Sequence, residues 1–196
     1  MTPQEALRAG EPVVLPFDTV YGLAAEPHDA ESTRRLYALK GRAAAQPTAL
    51  VAATVDALRA LLPETDMTGA WHLLPGPLTL VVANPARRFA WLTGTNPEAL
   101  GVRVPDLPDV TREIVASVGA VVATSANLPG GADPRHLQDV PERIRAGAAA
   151  VVDGGEVPGT PSTVVDLTGP EPSILREGAV SAAEVLRRLG APVRSS

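Results

Sequence analysis

Short runs of Val, Leu and Ala alternate along the chain with segments of helical spacing, and Pro and Gly fall in the gaps. Apolar runs bounded by turn-forming residues predict buried strands at 13–16, 50–53, 78–83, 101–104, 120–124, 149–152 and 163–167. Helical periodicity predicts helices at 55–62, 67–74, 110–118, 140–146 and 182–189. Near the start, Thr2-Pro3-Gln4-Glu5 has the form of a capping box with proline at the first helical position, and Gly10 ends that helix. Asp29 can cap a further helix running to about Leu39, with Leu36 and Leu39 on its inner face. Strands interleaved with helices predict a mixed α/β domain. The stretch 154–161 is the most linker-like, but apolar runs resume after it, so residues 1–196 are read as one domain.

Composition narrows this picture. Hydrophobic residues make up 45% of the chain and aromatics only 3%, so the core is built from aliphatic side chains. The absence of cysteine removes disulfides, thiolate nucleophiles and cysteine-zinc sites. The first residues are polar and lack a basic start followed by an apolar run, which is unlike a secretory signal. No run approaches the ~20 apolar residues that cross a bilayer. The expectation is a soluble, cytoplasmic protein with no membrane partner. A net charge of −5 speaks against general nucleic-acid binding, yet permits a local cationic groove. Among 17 basic residues, Lys40 is the single lysine.

Polar clusters fall where the predicted strands end, the usual place for binding residues on α/β scaffolds. The chain has no Walker-type phosphate loop, no dinucleotide-binding glycine pattern and no nucleophile elbow. His28, His72 and His136 lack metal-ligand spacing, and no metal site built by the protein is expected. What remains is hydroxyls, an amide and permanent cations, an inventory that suits a polyphosphate-like anion. Lys40 and Arg42 flank Gly41. In an extended segment they would point the same way, toward one anion. As solvated residues they would simply favour a helix C-terminus. Thr124-Ser125-Ala126-Asn127 can hold phosphate oxygens or serve as turn and cap chemistry. Asp18 and Thr19 can meet a ligand or magnesium, or form an Asx turn. Arg103 suits a carboxylate ligand or an internal ion pair.

Taken in order, PFDTVYGL, KGR, PGPLT, VRVP, TSAN, DGG, STVV and LREG resemble the YrdC-like family of threonylcarbamoyl-AMP synthases, from about Val13 to Gly178. The resemblance implies a twisted mixed α/β sheet with flanking helices around a concave, cation-lined cavity, in the short single-domain type. It implies that ATP, L-threonine and bicarbonate are the substrates and that threonylcarbamoyl-AMP and pyrophosphate are the products. Magnesium would enter with ATP, with no organic cofactor. A downstream threonylcarbamoyl-transferase complex would pass the group to tRNA. By resemblance, Lys40 and Arg42 are catalytic, and Lys40, Arg42, Gln46, Ser125, Asn127 and Arg176 bind ATP. Phe17, Thr19, Arg103, Ala123 and Ser162 bind threonine on the same ground. Phe17 replaces the family's first threonine in P-T-[DE]-T, Ala43 replaces a proline, and Asp133 stands where serine is frequent. Val51 falls where some relatives place histidine, and no role is carried over to it. Two other readings stay open: a tRNA or double-stranded-RNA-binding module, and a paralogue acting on carbamoyl phosphate.

Overall fold

The first helix begins as its sequence requires. In a computed structural model that describes residues 1–191, the Thr2 hydroxyl accepts from the Glu5 amide at 3.2 Å, and the Glu5 carboxylate accepts from the Thr2 amide at 2.8 Å. This reciprocal cap opens α1 (Pro3–Arg8). Asp29 caps α2 (Ala30–Lys40) by accepting from the amides of Glu31 and Ser32. A cap of this kind is worth about 1 kcal/mol. Gly41 ends α2 at φ 72°, a left-handed conformation that favours glycine. The remaining helices are α3 (Val55–Leu61), α4 (Asp109–Val118), α5 (Glu142–Gly147) and α6 (Ala182–Arg188).

Among the described residues, nine strands form one mixed sheet: β1 (Val13–Pro16), β2 (Tyr21–Ala25), β3 (Ala49–Ala52), β4 (Leu78–Ala83), β5 (Ala99–Arg103), β6 (Ala120–Ser125), β7 (Ala150–Val151), β8 (Thr163–Asp166) and β9 (Ser173–Arg176). Their spatial order is β7-β1-β2-β6-β3-β5-β4-β8-β9. The β1/β7, β3/β5 and β4/β8 pairs are parallel and the others antiparallel.

The two faces of the sheet are treated differently. On one, Leu50, Leu80, Leu100, Val102, Val122 and Val165 are buried with Leu36 of α2, Leu58 of α3 and Val185 of α6. Burying each large aliphatic side chain contributes roughly 1.5–3 kcal/mol. On the other face, Ala6 and Leu7 of α1 and Ile114 and Val115 of α4 pack over Val13, Leu15, Ala24, Val51 and Val121. That covering does not reach the rest of the face. Over β5, β4 and β8 the residues pointing this way line an open cavity.

Most predicted elements appear within two residues of the expected bounds, one predicted helix is absent and two strands are additional. Residues 67–74 form no α-helix, only a short 3-10 turn at Trp71–Leu73. Apolar spacing is present there, but Gly69 at φ 88° interrupts any helical run, and the stretch folds as turns against the core. The 140–146 helix is displaced to Glu142–Gly147, because Pro141 stands at its N-cap. Strands β2 and β9 were not expected. Every residue of β2 is buried, so Tyr-Gly-Leu-Ala-Ala shows no alternation to read. At β9, a sheet edge, three of four residues are exposed and the apolar signal is weak. Leu36 is buried as expected, and Leu39 is partly so. The one-domain reading extends to residue 196, and residues 192–196 lie outside the described residues.

Candidate active site

Cross-strand register builds the floor of the cavity. Ala123 of β6 pairs with Ala49 of β3, Ala49 with Gly101 of β5, Gly101 with Val81 of β4, and Val81 with Asp166 of β8. This row across the sheet presents almost no side-chain bulk until Val81. One pleat further along the strands, Val51 pairs with Arg103 and Val164 with Arg176. The small row makes the hollow, and the next row places arginines beside it. The resulting cavity is about 490 Å³.

Of the residues expected to bind ligand, Phe17, Thr19, Arg42, Arg103, Ala123, Ser125, Ser162 and Arg176 line this one cavity. They come from the β1–β2 turn, the loop after α2, and β5, β6, β8 and β9 with their flanks. Lys40, Gln46 and Asn127 are not on its wall. Gln46 lies exposed in the loop after α2, where its carbonyl accepts from the Tyr37 hydroxyl at 3.0 Å.

Lys40 and Arg42 do not point at a shared anion. Lys40 is the last helical residue, and the left-handed turn at Gly41 sends the two side chains apart. Lys40 is 4% exposed. Its ammonium donates to the Ser125 carbonyl at 2.6 Å, the Asn127 carbonyl at 2.9 Å and the Asn127 side-chain oxygen at 2.8 Å. Three N–H groups meet three close acceptors, so the side chain is saturated by protein. Ser125 also donates to Asn127 Oδ1 at 2.7 Å, and Asn127 Nδ2 donates to the Gly131 carbonyl at 2.7 Å. Lys40 and Asn127 thus fix the strand end that carries Ser125 to the cavity. Burial, with the nearby Arg42 charge, lowers the Lys40 pKa to about 8, and Asp133 opposes that shift.

The arginines are less committed. Arg42 donates to the Pro47 carbonyl at 2.5 Å and lies 5.8 Å from the Tyr37 ring centroid. Arg176 donates to the Ser162 carbonyl at 2.8 Å. Arg103 donates to the Asp18 carboxylate at 2.9 Å, with side chains 12% and 7% exposed respectively. Asp18 also accepts from the Asp106 amide at 3.2 Å, so Asp18 is an internal partner of Arg103. Burial pushes the Arg103 pKa down, Asp18 pulls it back and Arg176 adds to the fall. The Nε atoms of Arg42 and Arg103 are buried without a hydrogen-bond partner. Each leaves a buried donor without an acceptor.

A loop beyond the wall steadies the β1–β2 turn. Tyr21 donates to the Gly155 carbonyl at 2.7 Å and accepts from the Gly154 amide at 3.0 Å, while the Gly159 amide donates to the Thr19 carbonyl at 2.7 Å. The Asp-Gly-Gly motif therefore anchors the segment that carries Asp18 and Thr19.

Thr79 and Gly101 also line the cavity; the sequence reading placed Thr79 in the PGPLT cluster and Gly101 in a strand, and gave neither a binding role. Thr79 shares a hydrogen bond with Ser162 at 2.8 Å. A signal for them was present in the alternation of large and small residues through Ala99-Leu100-Gly101-Val102-Arg103 and Leu78-Thr79-Leu80. Among the described residues, no group of three or more His, Cys, Asp or Glu side chains is placed to hold a metal ion.

This arrangement suits a ligand with several anionic groups, and comparison with known proteins agrees on the lineage. The profile of the Sua5/YciO/YrdC family, described as "Telomere recombination", matches residues 5–178. The chain belongs to this family. A threonylcarbamoyl-AMP synthase of Escherichia coli O1:K1 is 34% identical over 174 residues, covering 85% of this chain and 88% of that protein. One of Pyrococcus abyssi is 33% identical over 188 residues, covering 94% of this chain but 55% of that protein. This chain therefore spans about half the length of the Pyrococcus relative. The crystal structure of P. abyssi Sua5 complexed with L-threonine matches with a TM-score of 0.86 at 31% identity, over 95% of this chain and 56% of that one. Escherichia coli YciO shares the fold, with a TM-score of 0.78 at 23% identity over 95% of this chain and 90% of that one. No described helix is long and apolar enough to cross a membrane.

Proposed function

We propose that this protein is an L-threonylcarbamoyladenylate synthase, a nucleotidyltransferase acting on ATP, L-threonine and bicarbonate in the cytoplasm. The observation that carries this reading is the convergence of Arg42, Arg103 and Arg176 with Ser125 and Ser162 on one cavity. Relatives named threonylcarbamoyl-AMP synthase and a threonine-bound Sua5 structure support it. The threonine amine takes up the carbon of bicarbonate as a carbamate, with loss of water. A carbamate oxygen then bonds to the α-phosphorus of ATP, and the bond to pyrophosphate breaks. Chemistry of this kind depends mainly on positioning and on neutralising charge.

In this reading Arg103 holds the threonine carboxylate, using donors that Asp18 leaves open, with Phe17, Thr19, Ala123 and Ser162 around it. Arg42 and Arg176 meet phosphate oxygens, and Ser125 supplies a hydroxyl between the two ends. Lys40 and Asn127 act on ATP through the placement of Ser125. Magnesium enters with ATP, held by phosphate oxygens and water, and screens the leaving pyrophosphate. The product passes to a threonylcarbamoyl-transferase complex that modifies tRNA.

The test mixes protein, ATP, magnesium and bicarbonate with and without L-threonine. Threonine-dependent pyrophosphate release is expected. Release that is independent of threonine, or that needs carbamoyl phosphate in its place, overturns the reading.

A further inference from the structure

Gly101 sits in the interior of β5, where glycine weakens a strand by roughly 0.5–1 kcal/mol relative to alanine. Such a position normally has a backbone or packing reason, and Gly101 has neither. Its φ is not among the positive values. A Cβ built there meets nothing closer than the Thr48 carbonyl oxygen at 3.6 Å, with Ala49 Cα and Thr79 Cγ2 at 3.7 Å, all ordinary contacts. Gly22, the other glycine on the cavity wall, is different: its Cβ would lie 2.5 Å from the Phe17 ring. Fold packing therefore excludes a side chain at Gly22 and not at Gly101.

The room left at Gly101 opens into the cavity, midway along the row of small residues. Arg103 follows two residues later on the same strand face, about 6.6 Å away by strand rise. Its Nε, like that of Arg42, is buried without a hydrogen-bond partner. An amino acid whose carboxylate rests on Arg103 is short enough to lie between that guanidinium and the floor at Gly101.

We propose that Gly101 is a size-determining residue of the site: the space of its missing side chain is filled by the amino-acid part of the ligand. This rests on the reading of the cavity as a threonine site, and it adds the position that gauges the amino acid. A side chain at Gly101 shortens the distance from floor to ligand, and threonine loses its fit before the smaller serine does.

The test is calorimetric titration of L-threonine and L-serine into the wild-type protein, Gly101→Ala and Gly101→Val, with thermal midpoints recorded for each. One methyl group in a ligand pocket changes discrimination by roughly tenfold or more. Gly101→Ala is expected to weaken threonine about tenfold and serine less, and Gly101→Val to abolish threonine binding. Thermal midpoints should stay at or above the wild-type value, since a strand glycine is replaced. Unchanged threonine affinity in Gly101→Val, equal weakening of both amino acids in Gly101→Ala, or a fall in midpoint paralleling the fall in affinity overturns the inference. If the wild-type protein binds neither amino acid, the threonine-site reading fails and the inference falls with it.

Discussion

The guanidinium of Arg103 and the carboxylate of Asp18 meet at 2.9 Å in a nearly closed setting, although 85 residues separate them in sequence. Removing one partner of a buried ion pair leaves an uncompensated charge, a loss of about 3–5 kcal/mol when burial is complete. The pair retains slight exposure, so Asp18→Ala should lower unfolding free energy by about 3 kcal/mol. Urea denaturation measures it. Asp18→Asn keeps an acceptor for Arg103 and should lose less. Equal stability of wild type and Asp18→Ala would show that the pair is incidental.

Lys40 offers a direct pH test, because a single lysine gives a single side-chain signal. Selective ¹³C labelling at lysine Cε should report a titration near 8 instead of the ordinary 10.5. The sign for stability follows. Between these two values the unfolded chain binds more protons at this residue than the folded one does. The Lys40 contribution to stability therefore rises with pH across the window and is constant below it. Comparing wild type with Lys40→Met at pH 7 and pH 10 isolates that contribution. A midpoint at the ordinary value refutes the burial argument.

The two residues of the Lys-Gly-Arg motif should fail in different ways. Arg42 bonds one backbone carbonyl and reaches the cavity, so Arg42→Ala should leave the melting temperature nearly unchanged. Loss of one charge-stabilising contact in the transition state should lower turnover on the order of a hundredfold. Lys40→Ala should reduce turnover to a similar extent, and it should also destabilise the fold by leaving the acceptors of Ser125 and Asn127 unpaired. Steady-state pyrophosphate assays with parallel melting curves separate the two. Identical behaviour in both measurements contradicts the division of labour.

Phe17 and Gly22 form a steric couple. Gly22→Ala should destabilise by roughly 1–3 kcal/mol, as expected of overpacking. Phe17→Leu made in the same chain should recover part of that loss. A double-mutant cycle by chemical denaturation gives the coupling, and strict additivity contradicts it.

Much of this site was legible before folding, but not its division of roles. Arg103 and Ser125 stand out because a polar side chain after an apolar run marks the end of a strand, whereas Arg42 follows a helix and Arg176 was assigned through the family resemblance. Where those side chains turn is decided by tertiary contacts. Lys40 read as a free cation because its saturating acceptors, two of them main-chain carbonyls, lie 85 and 87 residues away. Gln46 sits near Arg42 in sequence, yet it is exposed and off the cavity wall that the adjacent Pro47 lines. Gly101 was overlooked because a glycine in a strand pattern does not reveal whether crowding, conformation or a ligand requires it. Strand β2 was overlooked because burial on both sides erases alternation.

The sealed position of the single lysine has a practical consequence. Acylating reagents, aldehydes and amine-reactive crosslinkers find no lysine amine on the outer surface of this fold. Side-chain derivatisation has to proceed through groups other than lysine, and crosslinking maps built on lysine will be silent over the whole sheet. Any lysine introduced on the surface therefore becomes the one accessible lysine side chain, alongside the α-amino group, and is addressable without protecting the native one.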